Sequence, residues 1–197
     1  MTPRLYISGI DPSAAVDEAE FSRYRLEKLR AAKNPARRTE GICAERLLIY
    51  ALRDIMPGIE LPPEIVTRES GKPELADVPL CFSLSHSGEY CACAVYDRAI
   101  GVDIQKRAAA DMRILERRFT PQEREFVMNS ADMDAAFTRV WTMKESCVKA
   151  YGTGQPLASF CTVGDLPGTM HTLERAGYFC SVYIPDVPDA GLELKIL

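Results

Sequence analysis

Glu145 and Lys149 stand four residues apart within Trp141-Thr142-Met143-Lys144-Glu145-Ser146-Cys147-Val148-Lys149. On a helix that spacing projects both side chains from one face, and Lys144 flanks the face, so an acid and two amines are expected at one place. The same residues can equally form a surface ion pair in the favoured Glu-to-Lys order, worth about 0.3–0.5 kcal/mol. Further upstream, Gly101-Val102-Asp103-Ile104-Gln105 reads as a strand end in which Val102 and Ile104 face a core while Asp103 and Gln105 face the other way. A carboxylate and an amide oxygen on one face suit a hard cation. Mg2+ takes one or two protein carboxylates and completes its shell with water and phosphate oxygens, a count that Asp103 and Glu145 together meet. Alternatively, Asp103 is an exposed residue closing a strand. A third group, Ser85-His86-Ser87-Gly88, offers two hydroxyls, an imidazole and backbone amides in a tight turn, donors able either to hold a phosphate or to cap the turn. No Asp or Cys at suitable spacing makes His86 part of a nucleophilic triad, and His171, in a late strand region, is assigned to structure.

These residues need elements to position them. A strand is expected over 4–10, and Asp11-Pro12-Ser13 then signals a helix reaching about residue 32. Asn34-Pro35 marks a second helix start, an N-cap followed by Pro. Ile42, Leu47, Leu48, Ala51, Leu52 and Ile55 recur at helical spacing until Pro57-Gly58 stops it. Gly71-Lys72-Pro73 is a turn, and the runs 80–84 and 91–96 resemble a hairpin around the Ser-His-Ser-Gly segment. A short apolar strand follows over 100–104. Thr120-Pro121-Gln122-Glu123 combines an N-cap, a Pro and a Glu three residues on, which predicts a helix start. From 134 to 151, Phe137, Val140, Trp141, Lys144, Val148 and Tyr151 share one helical face, ended by Gly152. Strands are expected over 160–163, 178–184 and 192–197. The recurrence of helices and strands in similar order gives an α+β reading.

Composition bounds the function. A chain of 197 residues with 47% hydrophobic and 26% charged side chains can bury a full core, as one large domain or two small ones. The opening residues carry no leader pattern, and no run approaches the roughly 18 apolar residues of a membrane span, so a cytoplasmic protein without membrane association is expected. Seven cysteines, Cys43, Cys81, Cys91, Cys93, Cys147, Cys161 and Cys180, include no C-x-x-C pair and read as reduced apolar fillers rather than a disulfide or zinc framework. A net charge of −4 argues against nonspecific nucleic-acid binding. The basic stretch over 23–38 is a solvated helix face or a local patch.

Taken together, Gly71-Lys72-Pro73, Phe82-Ser83-Leu84-Ser85-His86-Ser87, Gly101-Val102-Asp103 and the 141–149 segment resemble the surfactin-type phosphopantetheinyl transferases. Order and spacing agree over 71–154, and Phe119-Thr120-Pro121-Gln122-Glu123 is similar to a further family segment. The joined W-x-x-K-E-S-x-x-K and G-x-D elements are the specific part. Over 1–70 the likeness is only in helical and basic character.

The resemblance implies an α+β fold of two pseudo-symmetric halves, 1–99 and 100–197, with coenzyme A and Mg2+, replaceable by Mn2+, held between them. It implies that Asp103 and Glu145 hold the metal, with Gln105 touching it through a water where relatives carry an acid. Lys72 and Pro73 would lie near the adenosine, Ser85 and His86 at the 3′-phosphate, and Lys144 and Lys149 at the pyrophosphate. Glu145 would take the proton of the acceptor serine, and Lys149 would donate to the leaving group. The implied partner is an apo acyl or peptidyl carrier protein, and the implied state a monomer. A carrier-binding module that has lost the chemistry, or a Mg2+-dependent transferase using another nucleotide, are the alternatives; retention of Asp103, Lys144, Glu145 and Lys149 argues against the first, and the Lys72 and Ser85-His86 elements against the second.

Overall fold

The computed structural model describes residues 1–67, 69, 71–152 and 162–197. It is an α+β fold. The chain runs β1 (Arg4–Gly9), α1 (Arg23–Ala31), α2 (Pro35–Ile55), β2 (Ile65–Thr67), β3 (Pro73–Leu75), β4 (Cys81–Ser87), β5 (Tyr90–Tyr96) and β6 (Gly101–Lys106). It continues as α3 (Met112–Arg118), α4 (Pro121–Met128), α5 (Met133–Tyr151), β7 (Gly168–Arg175), β8 (Tyr178–Pro185) and β9 (Glu193–Ile196). One sheet has the order β4-β5-β1-β9, a second β6-β8-β7, and β2 with β3 makes a small ribbon. No helix among the described residues is long and apolar enough to cross a membrane.

Local chemistry sets the helix ends. Asn34 caps α2 through the amide of Ala36, with Pro35 in the first turn. At α4 the capping box is complete: the Thr120 hydroxyl accepts from the Glu123 amide, and Glu123 accepts from the amide of Thr120. Gly152 closes α5 in the left-handed region at φ 69°. The helix expected from Asp11-Pro12-Ser13 starts later. Asp11 Oδ1 instead accepts from the amide and hydroxyl of Ser13, a local turn that competes with helix, and the cap of α1 is Ser22. The ribbon of β2 and β3, helix α3 and strand β7 lie outside the elements expected from the sequence, and half of the strand expected over 160–163, residues 160 and 161, lies outside the described residues. Val163 itself opens a 3-10 turn, Val163–Asp165.

Strand β5, Tyr-Cys-Ala-Cys-Ala-Val-Tyr, explains how the molecule coheres. Cys91, Cys93 and Val95 face α2 and pack with Leu48, Leu52 and Phe82, whereas Ala92, Ala94 and Tyr96 pack with Ile100, Val102, Ile104, Val182 and Ile184. Burial on both faces accounts for its near-continuous apolar run. The two sheets therefore share a core across their facing sides. The boundary expected at 99/100 falls between β5 and β6, and β9 crosses back to pair in parallel with β1. Helix α5 covers the second sheet and bears on α4 through Phe119, Val127, Phe137 and Val140. Burial pushes the thiols of Cys91, Cys147 and Cys180 up to about 12, in keeping with apolar fillers; Cys161 lies outside the described residues.

Gly101 fixes how closely α5 approaches β6. A Cβ there would collide with the carbonyl oxygen of Ser146 and the amide of Ala150, both rigid helix backbone. Gly101→Ala is expected to lower unfolding stability by about 1–3 kcal/mol or more through overpacking. At Gly164 a Cβ meets nothing within 4 Å, so Gly164→Ala should be close to neutral. Urea unfolding of the two variants checks this, and a Gly101→Ala protein as stable as wild type would refute the close approach.

Candidate active site

The site is built on a seam between two edge strands. On β4, the alternate serines point toward β6: Ser83 Oγ accepts from the amide of Val102 at 3.0 Å, Ser85 Oγ from Ile104 at 3.2 Å, and Ser87 Oγ from Lys106 at 3.0 Å. Hydroxyls thus satisfy amides that backbone pairing would otherwise serve. Asp103, only 2% exposed, lies beside this seam. Its Oδ1 accepts from Ser85 Oγ at 2.8 Å and from Lys149 Nζ at 2.7 Å, and its Oδ2 from Gln105 Nε2 at 3.3 Å. An exposed Asp closing a strand is thereby excluded.

Helix α5 brings Glu145 and Lys149 to the same side, as their spacing requires. Burial and the nearby negative charge of Asp103 push the Glu145 carboxyl above the usual range, against the pull of Lys149 and Arg118. Glu145 accepts no hydrogen bond among the described residues. A carboxylate pushed up by burial and by a second carboxylate, and with open acceptor capacity, fits a hard cation completed by water and phosphate oxygens. No group of three or more His, Cys, Asp or Glu side chains among the described residues could hold a metal alone. Gln105 stands next to Asp103, and its Oε1 accepts from Ser87 Oγ at 3.5 Å.

Lys144 does not join this group, contrary to the expectation of two amines at one place. Its side chain is 1% exposed and its ammonium lies 2.6 Å from Glu123 Oε2, over the ring of Phe119. Glu123 also accepts from the amide of Val163 at 3.0 Å. The capping-box residue is therefore the anchor of a buried ion pair that joins α4, α5 and the segment at Val163. The reason is angular: at about 100° per residue, Lys144 and Lys149 diverge by roughly 140° around the helix. The sequence marked Glu123 as a capping residue and as part of a family-like segment, not as the partner of Lys144.

Nor do Ser85 and His86 form a turn. They lie in β4, the turn is at Gly88-Glu89, and strand alternation sends them to opposite sides. The Ser85 hydroxyl donates to Asp103 and accepts from Ile104 and Lys149, which uses its one hydrogen and both lone pairs. It has no capacity left for a phosphate. His86 faces the other way, into a cleft of about 380 Å³ lined by Tyr24 and Arg25 of α1, Phe82 and Leu84 of β4, Lys72, Pro73, Val148 and Lys149. Glu40 of α2 lies 3.2 Å from His86 Nδ1, a contact the sequence did not suggest. Lys72 donates to the carbonyls of Ala150 at 2.8 Å and Ile100 at 3.3 Å, tying the cleft rim to the end of α5. Lys149, 31% exposed, both touches Asp103 and lines the cleft, so it connects the carboxylate site to the basic pocket. His171 Nε2 lies 2.7 Å from the Ala190 carbonyl oxygen, a structural contact within the second sheet region.

Residues 99–181 match the sequence model of the 4'-phosphopantetheinyl transferase superfamily. The chain is similar to the 4'-phosphopantetheinyl transferase Sfp of Bacillus subtilis (strain 168), 38% identical over 100 residues, 48% of this chain and 44% of that protein. It is similar also to psf-1 of Bacillus pumilus, 33% identical over 125 residues, 60% of this chain and 52% of the relative. With AcpT of Escherichia coli (strain K12) it shares 34% identity over 122 residues, 59% of each chain. The resemblance to the surfactin-type transferases is borne out. The chain spans about half the length of the curated relatives it matches.

Removing one member of a buried ion pair strands the other, at a cost of about 3–5 kcal/mol, whereas an apolar replacement of similar shape leaves less to desolvate when both partners change. Lys144→Ala is expected to lose stability on that scale in denaturant unfolding. The double variant Lys144→Met/Glu123→Leu should recover part of it, though it also loses the α4 cap. A Lys144→Ala protein with unchanged stability would show the pair to be inconsequential.

Proposed function

We propose that this protein transfers the 4'-phosphopantetheine arm of coenzyme A to a serine of an apo acyl or peptidyl carrier protein, releasing adenosine 3′,5′-bisphosphate. The observation that carries the reading is Lys149, which spans from the Asp103–Glu145 site to the basic cleft. In this reading the nucleotide end of coenzyme A occupies the cleft near Lys72 and Pro73, with its 3′-phosphate at His86, and the pyrophosphate reaches Lys149. The serine oxygen bonds to the phosphorus that carries the pantetheine, and the bond from that phosphorus to the bridging oxygen breaks. Lys149 neutralises or protonates the leaving phosphate, and Glu145 takes the serine proton directly or through a water, its raised proton affinity suiting a base. Mg2+ or Mn2+ held by Asp103 and Glu145, with Gln105 through a water, would supply charge neutralisation at the pyrophosphate.

The two halves, 1–99 and 100–197, are read as pseudo-symmetric. In support, β1-α2-β4-β5 and β6-α5-β7-β8 follow the same order, and the strand orders β4-β5-β1 and β7-β8-β6 correspond. The protein is read as a cytoplasmic monomer that binds neither nucleic acid nor membrane. Carrier proteins are acidic as a class, so a chain of net charge −4 meets them at a local basic surface. The segment with exposed Arg113, Arg117 and Arg118 on α3 is favoured over 23–38, because the charge of Arg118 reaches Glu145.

Mass spectrometry of apo carrier protein incubated with this protein, coenzyme A and Mg2+ should show a gain of about 340 Da on one serine, the mass of the transferred arm. Asp103→Asn and Glu145→Gln should each lower the rate by at least about 10²-fold with the circular dichroism spectrum retained. Full transfer in excess chelator would remove the metal from the reading, and no mass gain with any carrier would remove the reaction.

The carrier encounter should also weaken with ionic strength, and replacing Arg113 and Arg117 with alanine should raise the Michaelis constant for the carrier about 3- to 10-fold at low salt, with less effect at high salt. A constant unmoved by either change would place the docking surface elsewhere.

A further inference from the structure

His86 stands in a ring of charge. Glu40 and Arg37 face it from α2, Arg25 from α1 and Lys149 from α5. Two of the three cations are already engaged: Arg25 Nε lies 2.9 Å from Glu45, a carboxylate with no exposed surface, and Lys149 lies 2.7 Å from Asp103. The third, Arg37, is exposed, and the carboxylate set against the imidazole is Glu40, 3.2 Å from Nδ1.

We propose that Glu40 is a positioning residue for the anionic end of the nucleotide: it holds the Nδ1 edge of His86, so that the Nε2 edge and its hydrogen are turned to a phosphate in the cleft. The inference rests on the reading that the cleft receives coenzyme A. Burial, Lys149, Arg37 and Arg25 all favour the neutral ring, and among these groups Glu40 alone favours the protonated one. A neutral ring with its hydrogen at Nδ1 presents a lone pair at Nε2, which repels a phosphate oxygen. Only the doubly protonated ring donates on both edges, to Glu40 on one and to the phosphate on the other. A carboxylate on the far nitrogen is the usual means of setting which edge of a histidine meets its ligand. Phosphate binding at His86 therefore takes up a proton, and Glu40 lowers the cost of that uptake. Because the Ser85 hydroxyl is saturated, His86 carries this recognition without it.

The chain has two histidines, so the ring nitrogens of His86 can be followed by NMR and assigned with a His86→Gln variant. The probes are adenosine 3′,5′-bisphosphate and adenosine 5′-monophosphate. In the wild type, the bisphosphate should move the His86 titration to higher pH, and the monophosphate should not. Glu40→Gln should move the titration to lower pH and weaken bisphosphate binding about 10-fold, the scale of one hydrogen bond to a charged group. Glu40→Asp should restore part of the loss, and the loss should shrink as pH is lowered. A Glu40→Gln protein that binds the bisphosphate as tightly as wild type overturns the proposal, and so does an equal loss with both nucleotides, which marks a merely structural role. A wild-type ring that responds to neither nucleotide overturns the assignment of the cleft itself along with it. Failure of carrier modification with the nucleotide responses intact counts against the transfer reaction alone.

Discussion

The three serine hydroxyls between β4 and β6 are the interaction on which the site depends. Both strands are sheet edges, and they run side by side in the same direction. An edge strand leaves a row of amides that must find partners if the protein closes over them, and each one left bare costs about 1–3 kcal/mol. Backbone pairing would have fused the sheets into one continuous surface. Hydroxyls do the same work over a longer span, so the strands stay apart while every second amide of β6 is satisfied. Because the acceptors are side chains, the middle one is also available to Asp103 and Lys149. A single serine of one sheet thereby meets a backbone amide and a carboxylate of the other and the ammonium of helix α5.

The same helix carries two lysines with opposite uses. Lys144 is enclosed with Glu123, so that losing either one leaves an uncompensated buried charge. Lys149 is paired with Asp103 but partly open to the cleft. Five residues of helical turn separate a buried cation from one that opens on the cleft. Gly101 is the companion to this arrangement, since α5 must lie close enough to β6 for a lysine at 149 to reach an aspartate at 103.

Much of this layout was legible from local chemistry. The capping box at Thr120, the Asn34-Pro35 start, the Gly152 stop and the alternation around Asp103 are short-range effects, fixed within a few residues, and they stand where the sequence puts them. The failures share a different cause. Asp11 and Ser13 satisfy each other, which no helix-start signal distinguishes from a cap. The burial of Lys144 depends on α4 packing against α5, and the saturation of Ser85 on β6 passing beside β4; neither is encoded near the residue it constrains. The period of two in Phe82-Ser83-Leu84-Ser85-His86-Ser87 sends Ser85 and His86 to opposite sides, whereas Ser-His-Ser-Gly by composition alone signals a turn. Glu40 and His86 are 46 positions apart, and no spacing announces such a pair.

How a chain of net charge −4 would hold the polyanion proposed for it follows from where its charges sit. Three of the cationic or ionisable donors around the cleft already face a carboxylate: Arg25 has Glu45, Lys149 has Asp103 and His86 has Glu40. For Arg25 and Lys149 the desolvation and side-chain ordering are therefore met in folding, not at binding, whereas His86 would still have its proton to take up. An entering phosphate exchanges partners with carboxylates and does not gather loose side chains from solvent. The donors are fixed before the ligand arrives, which is the condition under which electrostatic stabilisation costs least at the moment of reaction. Exchange also imposes selectivity, because a ligand must bring enough negative charge to each point to replace the carboxylate it displaces, or must bind while that carboxylate stays. At Lys149 the first holds if a bound cation satisfies Asp103. At His86 the two ring edges allow the second, with Glu40 kept on one nitrogen and the phosphate on the other.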